Sequence, residues 1–318
     1  MTATADARVG RRQAWVMAAR PQTLPAGIAP VLAGVGLAVA DGVFALAPAL
    51  AALLGALLIQ VGTNFANDYY DAVKGADTDE REGFTRVTAS GLIEPAAVRR
   101  AMIATFGLAV LVGTTLVYLG GLPIVLIGIA SIVAGLLYTG GPYPYGYYGL
   151  GDVFVFVFFG LVAVAGTYYV QAVATLGAGP LPLWIPEGTL TADALIVGAG
   201  IGALATAILV VNNIRDRETD RATGKRTLAV LLGYRLSRVE YLLLLGVAYA
   251  VPLALWARGY GPVTLLPLLT IPLGALVART VLTRTDGDAL NPALERTGQL
   301  LALYALLLTV GLAGPGVV

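Results

Sequence analysis

The sequence contains no cysteine and no histidine. The first absence excludes thiolate nucleophiles, disulfides, iron–sulfur clusters and thiolate zinc sites. The second excludes imidazole general-base catalysis and His-ligated haem. Any catalysis therefore rests on carboxylates, Lys, Arg, Tyr, hydroxyls or amides. Any metal is held by oxygen, which favours Mg²⁺, Mn²⁺ or Ca²⁺. Charge is scarce as well: 12% of the 318 residues are charged, about half the share of an ordinary soluble domain. With 58% hydrophobic residues, the chain is neither disordered nor a typical soluble protein. Its net charge of +1 gives no global pull toward nucleic acid, and no nucleic-acid partner is expected.

What is present is apolar sequence in long runs. A membrane helix needs about 20 mostly apolar residues. Nine candidate spans emerge, at 21–40, 43–67, 97–119, 122–140, 153–176, 193–214, 238–257, 260–282 and 293–313. The stretch from Ala101 to Gly151 carries no charge yet is too long for one span, and Leu119-Gly120-Gly121-Leu122-Pro123 divides it. The expected fold class is all-α: a single domain, residues 1–318, forming a polytopic bundle of nine transmembrane helices in the lipid bilayer. The first 20 residues are polar and carry Arg8, Arg11, Arg12 and Arg20. A full-length span follows them, not a short apolar stretch with a cleavage site, so they read as the tail of a retained first helix.

Lys and Arg orient such a bundle. With the N-terminus in the cytoplasm, 19 of the 20 basic residues fall on the cytoplasmic side, and only Arg258 falls opposite. A missed or invented helix would scramble that split. The expected location is the cell membrane, multi-pass, with the C-terminus outside. Acidic residues follow the same bias: only Asp41, Glu187 and Asp193 are outside. Asp and Glu do not set topology, so their clustering needs another cause.

Two motifs supply it. One follows the second span: Asn64-Phe65-Ala66-Asn67-Asp68-Tyr69-Tyr70-Asp71, then Asp77 and Asp79. The other follows the sixth: Asn212-Asn213-Ile214-Arg215-Asp216-Arg217-Glu218-Thr219-Asp220, then Gly224-Lys225-Arg226-Thr227. Asn67 and Asp71 are four apart, as are Asn212, Asp216 and Asp220, so each set shares a helix face if the helix continues. Each motif ends an even-numbered helix, which suggests a parallel four-helix repeat with a ninth helix appended. Two facing acidic clusters repel unless cations lie between them. Mg²⁺ uses one or two carboxylates plus substrate phosphate. Lys74, Arg81, Arg86, Lys225 and Arg226 lie nearby to neutralise a diphosphate. A third segment, Tyr138-Thr139-Gly140-Gly141-Pro142-Tyr143-Pro144-Tyr145-Gly146-Tyr147-Tyr148-Gly149, is uncharged and carries five tyrosines. Their rings either flank an allylic cation or form an interfacial aromatic belt.

These segments resemble the UbiA-type membrane prenyltransferases. The resemblance covers nearly the whole chain. Within that family, Ala19-Arg20-Pro21-Gln22-Thr23-Leu24-Pro25, Asn67-Asp68-Tyr69-Tyr70-Asp71, Tyr138-Thr139-Gly140-Gly141-Pro142, Gly149-Leu150-Gly151-Asp152-Val153-Phe154 and the second acidic motif are similar to the branch acting on 1,4-dihydroxy-2-naphthoate. The resemblance implies Mg²⁺, two ions, held by Asn67 and Asp71 and by Asp216 and Asp220. It implies a catalytic set of Asp68, Asp71, Asp216 and Asp220, and diphosphate contacts from Lys74, Arg81, Lys225 and Arg226. Arg20, Asn64, Tyr138 and Asn212 are expected at the aromatic acceptor, with Asp77 and Tyr143 in support. Two departures stand out. Gly75 occupies a position where the family often has a further Asp, leaving Asp77 as the nearest substitute, and the loop after the fourth span has no basic residue.

The implied reaction joins a polyprenyl diphosphate to 1,4-dihydroxy-2-naphthoate with loss of CO₂ and diphosphate. The alternative acceptor is 4-hydroxybenzoate, which keeps its carboxylate. A secondary transporter would place its polar site near the bilayer midplane at broken helices, whereas the spans here hold almost no charge. A lipid-headgroup phosphotransferase would carry one compact Asp-rich motif instead of two separated copies.

Overall fold

The computed structural model describes residues 9–75 and 86–314. Among these, every regular element is helical. A short α1 (Arg11–Ala19) leads into α2 (Leu24–Ala40). Then come α3 (Leu46–Val73), α4 (Pro95–Leu137), α5 (Gly151–Leu176) and α6 (Ala192–Arg215). A short α7 (Arg217–Ala222) precedes α8 (Leu228–Tyr260), α9 (Pro262–Thr283) and α10 (Gly287–Ala313). Eight helical stretches are long and apolar enough to cross a membrane.

One of the eight supplies two crossings. With 43 residues, α4 would run about 65 Å if straight, twice the hydrocarbon thickness of about 30 Å. It breaks at Gly121, whose φ of 59° and ψ of −145° are non-helical. A Cβ there would stand 1.9 Å from the Pro182 carbonyl oxygen, so only glycine fits. The arms are antiparallel: Phe106 packs on Gly62 of α3, and Gly135 packs on neighbouring Thr63. Among the described residues the bundle therefore has nine crossings, as the apolar runs predict.

In lipid, helices associate by close packing of small residues rather than by hydrophobic burial. The central α6 follows that rule, burying Gly198, Gly200, Gly202, Ala203, Ala205 and Ala207. At Gly160 of α5, a Cβ would fall 2.6 Å from the Gly202 Cα, so the α5 and α6 backbones touch. Phe156–Val162 forms a π-helical turn at this contact, a distortion that often marks functional sites.

The helices outrun their apolar cores. α3 continues to Val73, α8 starts at Leu228 rather than near 238, and α10 starts at Gly287 rather than near 293. Hydropathy finds only the stretch that must sit in lipid, whereas backbone hydrogen bonding continues through the polar ends. The N-terminal segment also differs from a simple tail. Ala14 and Ala18 of α1 are buried with Phe65, Val98 and Met102, which seats α1 on α3 and α4.

Candidate active site at the acidic end of the bundle

Both acidic motifs open on one cavity of about 930 Å³. Asn67 and Asp71 reach it from the end of α3, and Asn212, Asp216 and Asp220 from the end of α6 and from α7. Its other polar lining includes Arg20, Asn64, Arg86, Tyr138, Tyr147 and Lys225. Below this rim the walls turn apolar and continue between α4 and α5 to Tyr118 and Leu181, beside the Gly121 break. The cavity thus follows the membrane-crossing helices from the acidic end to the opposite end. A second groove of about 480 Å³, between α8 and α9, is almost entirely apolar and offers no chemistry.

The first motif sits on continuous helix, so Asn67 and Asp71 share a face as their spacing predicts. Asp71 is 1% exposed. Arg86 Nη2 donates to its Oδ2 at 3.0 Å, and the Tyr147 hydroxyl donates to its Oδ1 at 2.6 Å. Asn67 Oδ1 accepts from Thr139 Oγ1 at 3.0 Å. The second motif is bent. α6 ends at Arg215, and Asp216 caps it before α7 carries Asp220. Arg215 is buried and reaches both Asp216 oxygens, Nε to Oδ1 at 2.7 Å and Nη2 to Oδ2 at 2.8 Å. It also donates to Asn212 Oδ1 at 2.8 Å and Asn291 Oδ1 at 2.9 Å. Lys225 lies 4.0 Å from Asp220 Oδ1, and its Nζ stands 4.8 Å from the Tyr147 ring centre.

Four expected site residues face elsewhere. Asp68 is buried away from the cavity. The Thr88 backbone N–H and hydroxyl both donate to its Oδ2, and Arg20 Nη2 lies 3.8 Å from its Oδ1. Its place is to tie α3 to the segment after residue 86, because one residue along a helix turns the side chain by about 100°. Lys74 bends back onto the tyrosine-rich loop, donating to the Thr139 and Gly141 carbonyl oxygens at 2.6 and 2.9 Å. Desolvation lowers its pKa against the opposing pull of Asp71. Tyr143 is 77% exposed and outside the cavity lining, as is the exposed Arg226, whose backbone N–H bonds the Tyr147 carbonyl oxygen. Asp77 and Arg81 lie outside the described residues.

The residues expected at the aromatic acceptor do line the cavity. Arg20 takes a left-handed φ of 52° at the elbow between α1 and α2, unusual for a residue with a side chain. Asn64 holds that elbow from α3, donating to the Ala19 carbonyl oxygen and to Thr23 Oγ1, both at 2.9 Å. Tyr138 and Tyr145 meet edge to face, and Tyr145 stacks on Phe154 at 4.0 Å. Burial raises both hydroxyl pKa values, and Asp152 adds to the effect at Tyr138, so both hydroxyls stay protonated.

Sequence reading missed Arg215 and Thr88 as site residues, and marked Tyr147 only as one ring of the tyrosine-rich segment, without its bond to Asp71. Arg215 sits inside the motif but looks like one more topology anchor, and Thr88 is marked by no charge or spacing.

The donor set around the cavity is all oxygen, which suits a hard divalent cation. The described residues form no cluster of three acidic side chains. Mg²⁺ does not need one, since it binds through one or two carboxylates plus substrate phosphate and water. The carboxylates here are instead balanced by Arg86 and Arg215.

Comparison with known proteins gives a consistent picture. Residues 27–313 match the profile described as the UbiA prenyltransferase family. The 1,4-dihydroxy-2-naphthoate octaprenyltransferase of Escherichia coli (strain K12) is 37% identical, over 96% of this chain and 97% of that one. The protein of the same name from Mycobacterium tuberculosis is 38% identical, over 94% and 96%. A UbiA homolog from Archaeoglobus fulgidus, solved with DMAPP and Mg²⁺, superposes with a TM-score of 0.59 at 15% identity, over 93% and 99% of the two chains. The UbiA homolog from Aeropyrum pernix K1 gives 0.62 at 16% identity, over 92% and 96%.

Proposed function

The chain belongs to the UbiA prenyltransferase family, and from that premise we propose that it moves a polyprenyl group from an allylic diphosphate to 1,4-dihydroxy-2-naphthoate. CO₂ and diphosphate leave, and the product is a demethylmenaquinone. The observation that carries this reading is the single cavity, polar and doubly acidic at one end and apolar along the rest. The names of the relatives from E. coli and M. tuberculosis support the acceptor.

Asn67 and Asp71 hold one Mg²⁺, and Asp216 and Asp220 the other. When bound, the two ions neutralise the diphosphate and make it a better leaving group. Lys225 and Arg86 line the same rim and take the remaining phosphate charge. The isoprenoid tail lies in the apolar length between α4 and α5. Arg20, at the elbow that Asn64 fixes, meets the acceptor carboxylate. The packed tyrosines Tyr138 and Tyr145 shield the allylic cation from water, which would otherwise capture it. We place the acidic end on the cytoplasmic side of a cell membrane, a reading that the 19-to-1 split of basic residues supports. The whole chain, 1–318, acts as one domain.

The test is product analysis by mass spectrometry. Purified protein with Mg²⁺ and a polyprenyl diphosphate is given either 1,4-dihydroxy-2-naphthoate or 4-hydroxybenzoate. A decarboxylated prenyl product from the naphthoate alone is expected. Efficient prenylation of 4-hydroxybenzoate with its carboxylate retained would reassign the acceptor.

A further inference from the structure

Tyr147 lines the cavity rim, yet the scheme above gives it no task. Local sequence sets its place. It belongs to a short 3₁₀ turn, Tyr145–Tyr148, between Pro144 and Gly149. Pro144 restricts the entry, and Gly149, with a φ of 74°, leaves the turn in the left-handed region that glycine favours. Within the turn the Gly146 N–H bonds the Tyr138 carbonyl oxygen at 3.0 Å, and a Cβ on Gly146 would stand 2.8 Å from that oxygen. The turn is thereby seated against the end of α4, with Tyr147 between the two acidic motifs.

Its contacts join those motifs. The hydroxyl donates to Asp71 Oδ1 at 2.6 Å. The backbone carbonyl oxygen accepts from the Arg226 N–H at 2.8 Å. The Lys225 ammonium stands 4.8 Å and the Lys74 ammonium 5.5 Å from the ring centre, within cation–π range. The ring is thus held by two cations while its hydroxyl reaches a carboxylate. Asp71 has a further donor, Arg86 Nη2, on Oδ2 at 3.0 Å. A guanidinium readily takes both oxygens of one carboxylate, as Arg215 does at Asp216. At Asp71 the tyrosine hydroxyl occupies Oδ1 and keeps that oxygen from the guanidinium. A carboxylate oxygen has two lone pairs, so Oδ1 retains one for a cation in the cavity.

We propose that Tyr147 is a positioning residue for the cation site of the first motif: its hydroxyl holds Asp71 Oδ1 off Arg86 and open to a divalent cation, from a ring anchored on the second motif. This rests on the paired-metal reading above. Groups that orient a metal ligand carry about 10–100-fold in metal affinity. Without the hydroxyl, the Asp71 carboxylate turns both oxygens onto Arg86 and is closed to a cation. Phenylalanine at this position keeps the ring beside Lys225 and Lys74 and keeps the backbone bond to Arg226, so Tyr147→Phe removes the hydroxyl alone.

The experiment uses the full chain in nanodiscs of zwitterionic lipid and compares wild type with Tyr147→Phe, Asp71→Asn and a control from the same turn, Tyr148→Phe, whose side chain is exposed and outside the cavity lining. Mn²⁺ binding is titrated by loss of the free-ion EPR signal, first alone and then with inorganic diphosphate, the binding to diphosphate itself being subtracted. The Mg²⁺ concentration for half-maximal prenyl transfer is measured on the same samples. Tyr147→Phe is expected to weaken the binding of one Mn²⁺ about tenfold or more and to raise half-activating Mg²⁺ by a similar factor. At saturating Mg²⁺, kcat and KM for the prenyl diphosphate should stay near wild type, as should the thermal midpoint of the metal-free protein. A merely structural role would lower that midpoint and would not single out the metal. Tyr148→Phe should match wild type throughout. Unchanged or tighter Mn²⁺ binding, a lower metal-free midpoint, or an effect confined to KM for the diphosphate overturns the proposal. If Asp71→Asn loses a Mn²⁺ that Tyr147→Phe still holds as wild type does, the metal reading stands and this inference falls. A wild type that binds no Mn²⁺ under either condition removes both together.

Discussion

Arg215→Ala is the perturbation whose size the geometry fixes best. Arg215 is 6% exposed, and its guanidinium grips both oxygens of Asp216, itself 5% exposed, at 2.7 and 2.8 Å. It also joins Asn212 to Asn291, so it ties α6 to α10. Alanine removes the bidentate partner and leaves the Asp216 carboxylate where it was. Breaking one side of a buried ion pair costs about 3–5 kcal/mol. At about 2–4 °C per kcal/mol, the thermal midpoint falls on the order of 10 °C. The double variant Arg215→Met with Asp216→Asn removes charge and counter-charge together, which is close to neutral for stability. Its midpoint should return to within a few degrees of wild type, while turnover stays lost because an amide does not hold a divalent ion as a carboxylate does. The assay pairs thermal unfolding in detergent at one scan rate with prenyl transfer on the same samples. An Arg215→Ala protein that melts with the wild type would refute the structural part. A double variant with normal turnover would refute the metal role of Asp216.

Asp71→Asn should abolish most prenyl transfer in a protein that still elutes as wild type, and chelation should do the same reversibly, with activity returning on added Mg²⁺; near-normal turnover in either case counts against the paired-metal site. Lys225→Ala should raise KM for the prenyl diphosphate about tenfold or more, the worth of a charged hydrogen bond of about 1.5–3 kcal/mol, while the exposed Arg226→Ala changes it little; equal effects would show that both side chains reach the phosphates. Gly121→Ala should sharply lower the yield of folded protein, because its Cβ would stand 1.9 Å from the Pro182 oxygen, whereas Gly128→Ala, which meets nothing within 4 Å, should fold normally. Burial depresses the Lys74 pKa in the fold, so the unfolded chain keeps that proton to higher pH. Stability from this group therefore rises as pH climbs through the folded pKa toward the unfolded value. Lys74→Met should flatten that rise in a pH series of thermal midpoints.

The spans and both acidic motifs were legible because their signals are local. Apolar run length sets a crossing, and a carboxylate in such sparse charge stands out. Pairing is not local. Nothing at Thr88 announces that it closes on Asp68 twenty residues earlier, and nothing at Tyr147 announces Asp71. Helix phase explains the misplacement of Asp68. It adjoins Asn67 in sequence, but the two point about 100° apart, so Asn67 and Asp71 face the cavity and Asp68 does not. Lys74 misleads for a different reason. Its flexible stem lets the ammonium satisfy the Thr139 and Gly141 carbonyl oxygens, which lie beyond the reach of helix hydrogen bonding. The burial of α1 was hidden by the arginines around it, since Ala14 and Ala18 are too small to register as an apolar face.

The far end of the bundle bears on whether the cavity serves an enzyme or a carrier. A carrier must expose its site alternately to both sides, so the helices around the site must part at each end in turn. Here the end opposite the acidic motifs is bonded shut. The Leu122 N–H bonds the Pro182 oxygen, and the Leu181 N–H bonds the Tyr118 oxygen, both at 2.9 Å. Asp41 after α2 accepts from Tyr168 of α5 at 2.8 Å and from Tyr260 of α8 at 3.0 Å. Tyr260 is shared with Asp193 at the start of α6, which Arg258 also engages. Opening that end would strip four helices of charge-assisted hydrogen bonds at once. Between α4 and α5, the Tyr169 hydroxyl bonds the Gly120 carbonyl oxygen at 2.9 Å near that closed end, while along the apolar wall Gly113 and Gly128 leave room. A water-soluble cargo gains nothing from such a wall, whereas a chain of isoprene units gains contact along its whole length while its diphosphate stays at the polar rim. Cavity charge confined to one end, an apolar length beneath it and a bonded far end together suit a site that changes a lipid-soluble molecule in place.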